Sequence, residues 1–189
     1  MSSPIMVKLA MTDEQFFEFC QENRDLRIER NQFGEISIMP PAGSGTGHRE
    51  INIGGQLWVW AEKDGTGIAF SSSAGFKLSA GAERSPDASW IRLDRWNTLT
   101  SEQQEKFAPI CPDFVVELRS PSDNLRPLQA KMEEYQVEPG FQLGFLLDRK
   151  HRRVHIYRPN QSPEILENLD SVSADPILPG FVLNLSKVW

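Results

Sequence analysis

One segment limits the architecture of this 189-residue chain more than any other. It is Phe114-Val115-Val116-Glu117-Leu118-Arg119, opened by Pro112-Asp113 and closed by Ser120-Pro121-Ser122-Asp123. A run that is apolar but for one glutamate reads as a buried strand, bounded by residues that break it. Side chains alternate along a strand, so Glu117 and Arg119 project to one face while Leu118 packs to the other. A carboxylate at the end of an apolar strand is costly to bury unpaired and needs a partner. Two arrangements meet that need. Either Glu117 and Arg119 form a structural ion pair at a sheet end, or Glu117 joins a second carboxylate in holding a divalent cation.

The rest of the chain alternates helical and extended patterns. Thr12-x-x-Gln15 is a capping box that opens a helix carrying Phe16, Phe19 and Cys20 on one face. A hairpin follows, with Leu26 and Ile28 on one side of the turn Asn31 to Gly34 and Ile36 and Ile38 on the other. The Gly-rich stretch Ala42 to Gly47 reads as a flexible loop before a second helix through Gln56, Trp58 and Ala61. It is no phosphate loop, because Gly47 is followed by His48-Arg49 where Gly-Lys-Ser/Thr is required. Extended segments recur at 68–70, 76–78 and 88–91, and Thr100-x-x-Gln103 caps a short helix. Beyond the central strand come a helix over about 127–137, strands at 143–147 and 154–157, and extended segments at 164–169 and 181–185. Strands outnumber helices and the helices interrupt them, which gives a mixed α/β sandwich. The length suits one domain over 1–189.

Composition removes several function classes. The 26 acidic and 20 basic side chains give a formal charge of -6, which argues against a polybasic coat for nucleic acid but leaves room for a local basic groove. Cys20 and Cys111 stand too far apart for a zinc ribbon and read as buried thiols of a cytoplasmic protein. The N-terminal apolar stretch is too short for a signal peptide, and no apolar run approaches the ~20 residues of a membrane span. Neither an HxxxH pair nor a GxSxG elbow occurs. The five tryptophans are expected mostly in core or interface.

The order of four blocks carries a resemblance. They are Pro86-Asp87-Ala88-Ser89, the stretch Pro112 to Ser122, the helix Lys131-Met132-x-x-Tyr135, and Leu178-Pro179-Gly180-Phe181. An aspartate after proline, some thirty residues before a strand ending in Glu-x-Lys, resembles the PD-(D/E)xK nuclease superfamily. The surroundings look closer still to its Uma-type restriction endonuclease family of bacteria. The resemblance implies a restriction-endonuclease-like core, a mixed β-sheet flanked by helices, preceded by an N-terminal helix and β-hairpin.

It also implies hydrolysis of DNA phosphodiester bonds with Mg2+, or Mn2+ in its place. Asp87 and Glu117 would hold the ion, with the carbonyl of Leu118 as a third ligand, and Glu29 and Glu50 are candidates for an accessory acid. The sequence departs from the pattern in one place: Arg119 stands where the superfamily has lysine. A guanidinium stays charged and cannot deprotonate water, though it can orient water or neutralise phosphate. Lys131, on the following helix, could deliver the amine instead. His48 and the cluster Arg149, Lys150, Arg152 and Arg153 are candidate contacts to a nucleic-acid backbone. Asp113 lies about 13 Å from Glu117 along the strand and reads as a turn carboxylate. The rival reading is a weak or inactive nuclease-fold protein that binds nucleic acid or a protein partner. A homodimer would suit cutting two strands.

Overall fold

A computed structural model describes residues 5–189. The first four positions of the stretch read for a signal peptide, and of the span 1–189, lie outside it. In chain order the elements are β1 (Ile5–Lys8), α1 (Asp13–Glu22), β2 (Arg27–Arg30), β3 (Glu35–Met39), α2 (Ser44–Asp64), β4 (Gly67–Ser71), β5 (Phe76–Lys77), β6 (Glu83–Arg84) and β7 (Ala88–Arg92). They continue with α3 (Leu93–Trp96), α4 (Ser101–Glu105), β8 (Phe114–Leu118), α5 (Leu125–Gln136), β9 (Leu143–Asp148), β10 (Arg153–Tyr157), β11 (Glu164–Glu167), β12 (Ser171–Ser173) and β13 (Val182–Asn184).

The apolar segment β8 sits inside a six-stranded sheet of order β11-β10-β9-β8-β7-β4. Its contact with β9 is parallel, crossed over by α5, and the other neighbours run antiparallel. Alternation along β8 explains why both faces are covered. Phe114, Val116 and Leu118 pack with Ile53 and Leu57 of α2 and with Phe181 to Val188 of the C-terminal segment. Val115 packs on the other side with Met132 and Tyr135 of α5. Glu117 shares that second face, at the strand end where the apolar layer stops. Beside this sheet lies a five-stranded one, order β1-β3-β2-β6-β5, closed by α1 over Phe16, Ile28 and Ile36.

Both capping boxes form, at Thr12 and at Thr100. The Gly-rich stretch corrects the expectation of a loop, because α2 begins at Ser44 and takes Gly45 and Gly47 into its first turn, with Gly43 at the N-cap. Burial of Thr46 at that turn and of Ile53, Leu57 and Ala61 further on supplies what glycine propensity withholds. Trp58 also departs from expectation: it stands exposed on α2 while Trp90 is buried. Strands β1, β6 and β12 are too short to show a pattern in sequence. Cys20 and Cys111 are free thiols, the first half-buried and the second buried. Among the described residues no helix is long and apolar enough to cross a membrane.

Gly67 opens β4, the edge strand, opposite Arg92 at the end of β7. A Cβ there would overlap the Trp90 ring and the Ile91 carbonyl oxygen. The paired backbone cannot retreat, so Gly67→Ala is expected to cost about 1–3 kcal/mol, read as a lower urea midpoint.

Candidate active site

The site is assembled by parity on short strands. On β2 the alternation Arg27-Ile28-Glu29-Arg30 places Ile28 in the core under α1, with the Arg30 guanidinium 4.9 Å from the Phe16 ring centre. Arg30 pairs there with Glu83 at 2.6 Å and Asp13 at 2.5 Å, and Lys77 also reaches Asp13. Arg27 and Glu29 point the opposite way, as does Arg84 from β6, so two separate ion networks occupy the two faces of one sheet.

The second network contains the predicted carboxylates. Lys131 Nζ, buried on α5, forms an ion pair with Glu117 Oε1 at 2.7 Å and donates to Glu29 Oε1 at 2.8 Å and to the Ser85 carbonyl at 3.3 Å. Asp87 stands at the start of β7, whose antiparallel register pairs Ala88 with Val116 and so sets Asp87 beside Glu117. Its Oδ1 accepts from Arg27 Nη1 at 2.7 Å, and its Oδ2 accepts from the Leu118 N–H at 2.6 Å. Arg84 joins Glu29 at 3.2 Å to Glu134 at 2.6 Å. The Tyr135 hydroxyl donates to Glu117 Oε1 at 3.4 Å.

Lys131 is equally close to Glu29 and Glu117, yet the two acids differ. Burial pushes both up. For Glu29 the charges of Lys131, Arg27 and Arg84 together outweigh it and bring the group down to about 2. For Glu117 burial prevails over Lys131, Asp87 and Glu29 add repulsion, and the group rises to about 7. Burial resists the charge of Arg27, but Asp87, Glu29 and Glu117 hold it above its ordinary value. Glu50, half-buried on α2, is raised by burial and then by Asp87. Five carboxylates (Glu29, Glu50, Asp87, Glu117, Glu134) thus lie around three cations (Arg27, Arg84, Lys131), and with every acid ionised the cluster would carry two surplus negative charges.

The structure therefore brings together Asp87, Glu117, Lys131 and Glu29, with Glu50 near enough to feel Asp87. Leu118 enters through its N–H. The ion pair read between Glu117 and Arg119 does not form. Arg119 lies past the end of β8, beside the end of β9, and donates to Asp148 Oδ1 at 2.8 Å and to the Asp123 carbonyl at 3.1 Å. Asp148 is completely buried, so it takes the guanidinium, and His151 Nδ1 lies 2.7 Å from its other oxygen. Asp113 binds the Arg92 N–H at 3.0 Å and Arg95 at 2.6 Å at the far end of β8.

His48 is exposed near the start of α2. Arg149, Lys150 and Arg152 form the β9–β10 turn, with Arg152 5.9 Å from the Trp189 ring centre. Arg153 is occupied by Glu167 at 2.7 Å, which removes it from the turn's free charge. Sequence reasoning missed Arg27, Arg84 and Tyr135. Arg27 shared strand parity with Glu29, and that was the available signal.

Mg2+ commonly takes one or two carboxylates and keeps its remaining positions for water and substrate oxygens. Among the described residues no three His, Cys, Asp or Glu side chains are grouped to enclose a metal. Asp87 and Glu117, set side by side by the β7–β8 register, fit the two-carboxylate arrangement.

The fold is similar to the crystal structure of a putative nuclease belonging to DUF820 from Anabaena variabilis. The TM-score is 0.75 at 19% identity, covering 95% of this chain and 97% of that one. No curated protein matches the chain. The family Uma2, described as putative restriction endonuclease, matches residues 13–186, and the chain belongs to that family.

Proposed function

We propose that this protein is a metal-dependent endonuclease that hydrolyses DNA phosphodiester bonds at the Asp87–Glu117–Lys131 cluster. One observation carries the reading: Lys131 Nζ lies 2.7 Å from Glu117, so an amine stands at the acid although the strand itself offers Arg119. Asp87 and Glu117 hold the divalent ion. Bound there, the ion stabilises charge on the phosphoryl oxygens and makes a water more acidic.

The chain's own residues do the rest. Arg27 and the Leu118 N–H each take one Asp87 oxygen and fix its plane, leaving further lone pairs on both atoms. Glu29 anchors Lys131 by accepting from its Nζ at 2.8 Å. The ammonium is thus held 2.7 Å from Glu117, where it can donate to an attacking water or to a phosphoryl oxygen. Glu50, close enough to Asp87 to be raised by its charge, is the accessory acid. Arg119 organises the end of β9 through Asp148, a positioning role.

The rival, a nuclease fold that binds without cutting, was motivated by Arg119, and the placement of Lys131 weakens that motive. Calorimetric titration with Mn2+ tests the metal site. Wild type is expected to bind, and Asp87→Ala to weaken binding at least about tenfold. Equal affinity in both would remove Asp87 from the site.

A further inference from the structure

A second charged feature lies at the same end of the six-stranded sheet. Arg49, one position before Glu50 on α2, is held by two carbonyls: its Nε donates to Val188 at 3.0 Å and its Nη1 to Gly45 at 2.5 Å. Arg149 lies in the β9–β10 turn, which reaches the same C-terminal segment: Arg152 of that turn is 5.9 Å from the ring centre of Trp189, the residue after Val188. Burial and then the Arg49 charge pull Arg149 below its ordinary value. Arg149 Nε is shielded from solvent without a hydrogen-bond partner, and among the described residues neither arginine has a carboxylate within ion-pair distance. Among the described residues the arginines of the two ion networks are all neutralised by acids: Arg27, Arg30 and Arg84 each have one or more. In a protein with net charge -6, two guanidiniums left without an acid at one end of a sheet form a cradle for an anion.

Its position indicates which anion. Leu146 is the register partner of Glu117, and Arg149 follows three positions on, just past the end of β9. At ~3.3 Å per residue the cradle is on the order of 10 Å from Glu117. We infer that Arg49 and Arg149 clamp a backbone phosphate of the nucleic acid, flanking the bond presented to Asp87 and Glu117. The clamp rests on the nuclease reading of that neighbouring site. Guanidinium forks bind phosphate oxygens bidentately and carry no base information, so the clamp sets the strand's register.

Binding without divalent ions isolates this step from chemistry. A fluorescein-labelled DNA duplex is titrated at several salt concentrations with wild type, Arg149→Gln and Arg149→Lys. Arg149 is chosen because Arg49 also ties down the C-terminal segment. In Arg149→Gln the affinity is expected to fall about tenfold and the slope of log K against log salt to shrink by about 0.9, one phosphate contact. Arg149→Lys restores the slope. A wild type that binds with a slope unchanged in Arg149→Gln overturns the clamp and leaves the nuclease reading standing. A slope that falls as expected in a protein that never cuts with Mg2+ upholds the clamp and overturns cleavage.

Discussion

Lys131→Met is expected to lower the stability of the metal-free protein by about 3–5 kcal/mol at pH 8 and to abolish cleavage. The substitution keeps the chain's bulk on α5 but removes the one amine that Glu117 and Glu29 share at 2.7 and 2.8 Å. Glu29 retains Arg84 and lies near Arg27, whereas Glu117 is left with the Tyr135 hydroxyl alone. An unpaired carboxylate buried to this degree must either ionise at high cost or take a proton. The loss is therefore expected to shrink at pH 5.5, where Glu117 protonates readily. Urea midpoints at the two pH values measure it. Lys106→Met is the comparison: its partner Glu102 is exposed, so loss of that pair should leave the urea midpoint essentially unchanged.

Glu117→Gln is expected to do the opposite to stability while also stopping the reaction. In the folded protein Glu117 is raised to about 7, principally by burial, against an ordinary value of 4.5. A raised acid favours folding while it is protonated. That contribution is complete below pH 4.5 and disappears as pH climbs through 7, beyond which the ionised group is a burden. Glutamine keeps the shape and the hydrogen bonding without the charge. The variant should therefore gain on the order of 1–3 kcal/mol over wild type at pH 8 and gain nothing at pH 4. Cleavage should fall at least about 10²-fold. A gain in stability coupled to a loss of activity is the signature of a charge kept for function at the expense of the fold.

Much of this was legible in the sequence, and the reasons are physical. β8 announced itself because a strand buried on both faces must be apolar nearly throughout, so its single glutamate stood out. Capping boxes at Thr12 and Thr100 act within four residues and need no tertiary information. The Lys131 helix could be placed by its apolar stripe, but its lysine faces Glu117 only because α5 crosses from β8 to β9 on the Val115 side. Counterions were harder. Arg27 and Arg84 come from a different sheet, and nothing local to either shows that it faces an acid more than 50 residues away. Arg119 as a partner for Glu117, one of the two arrangements the strand allowed, does not form, because parity alone shows which face a side chain takes. It does not show that a neighbouring strand brings Asp148 into the same register. The Gly-rich start of α2 was misread because local propensity is weak and burial of Thr46 overrides it.

The central claim is that Asp87 and Glu117 form a metal-dependent cutting site for DNA. Supercoiled plasmid, incubated with the protein and Mg2+ and resolved on agarose, tests it most directly. Wild type should convert the plasmid to nicked and linear forms, chelation of the metal should stop it, and Glu117→Gln, folded and more stable at pH 8, should leave the plasmid supercoiled. Cleavage by Glu117→Gln at the wild-type rate, or no cleavage by wild type with either Mg2+ or Mn2+, would contradict the account.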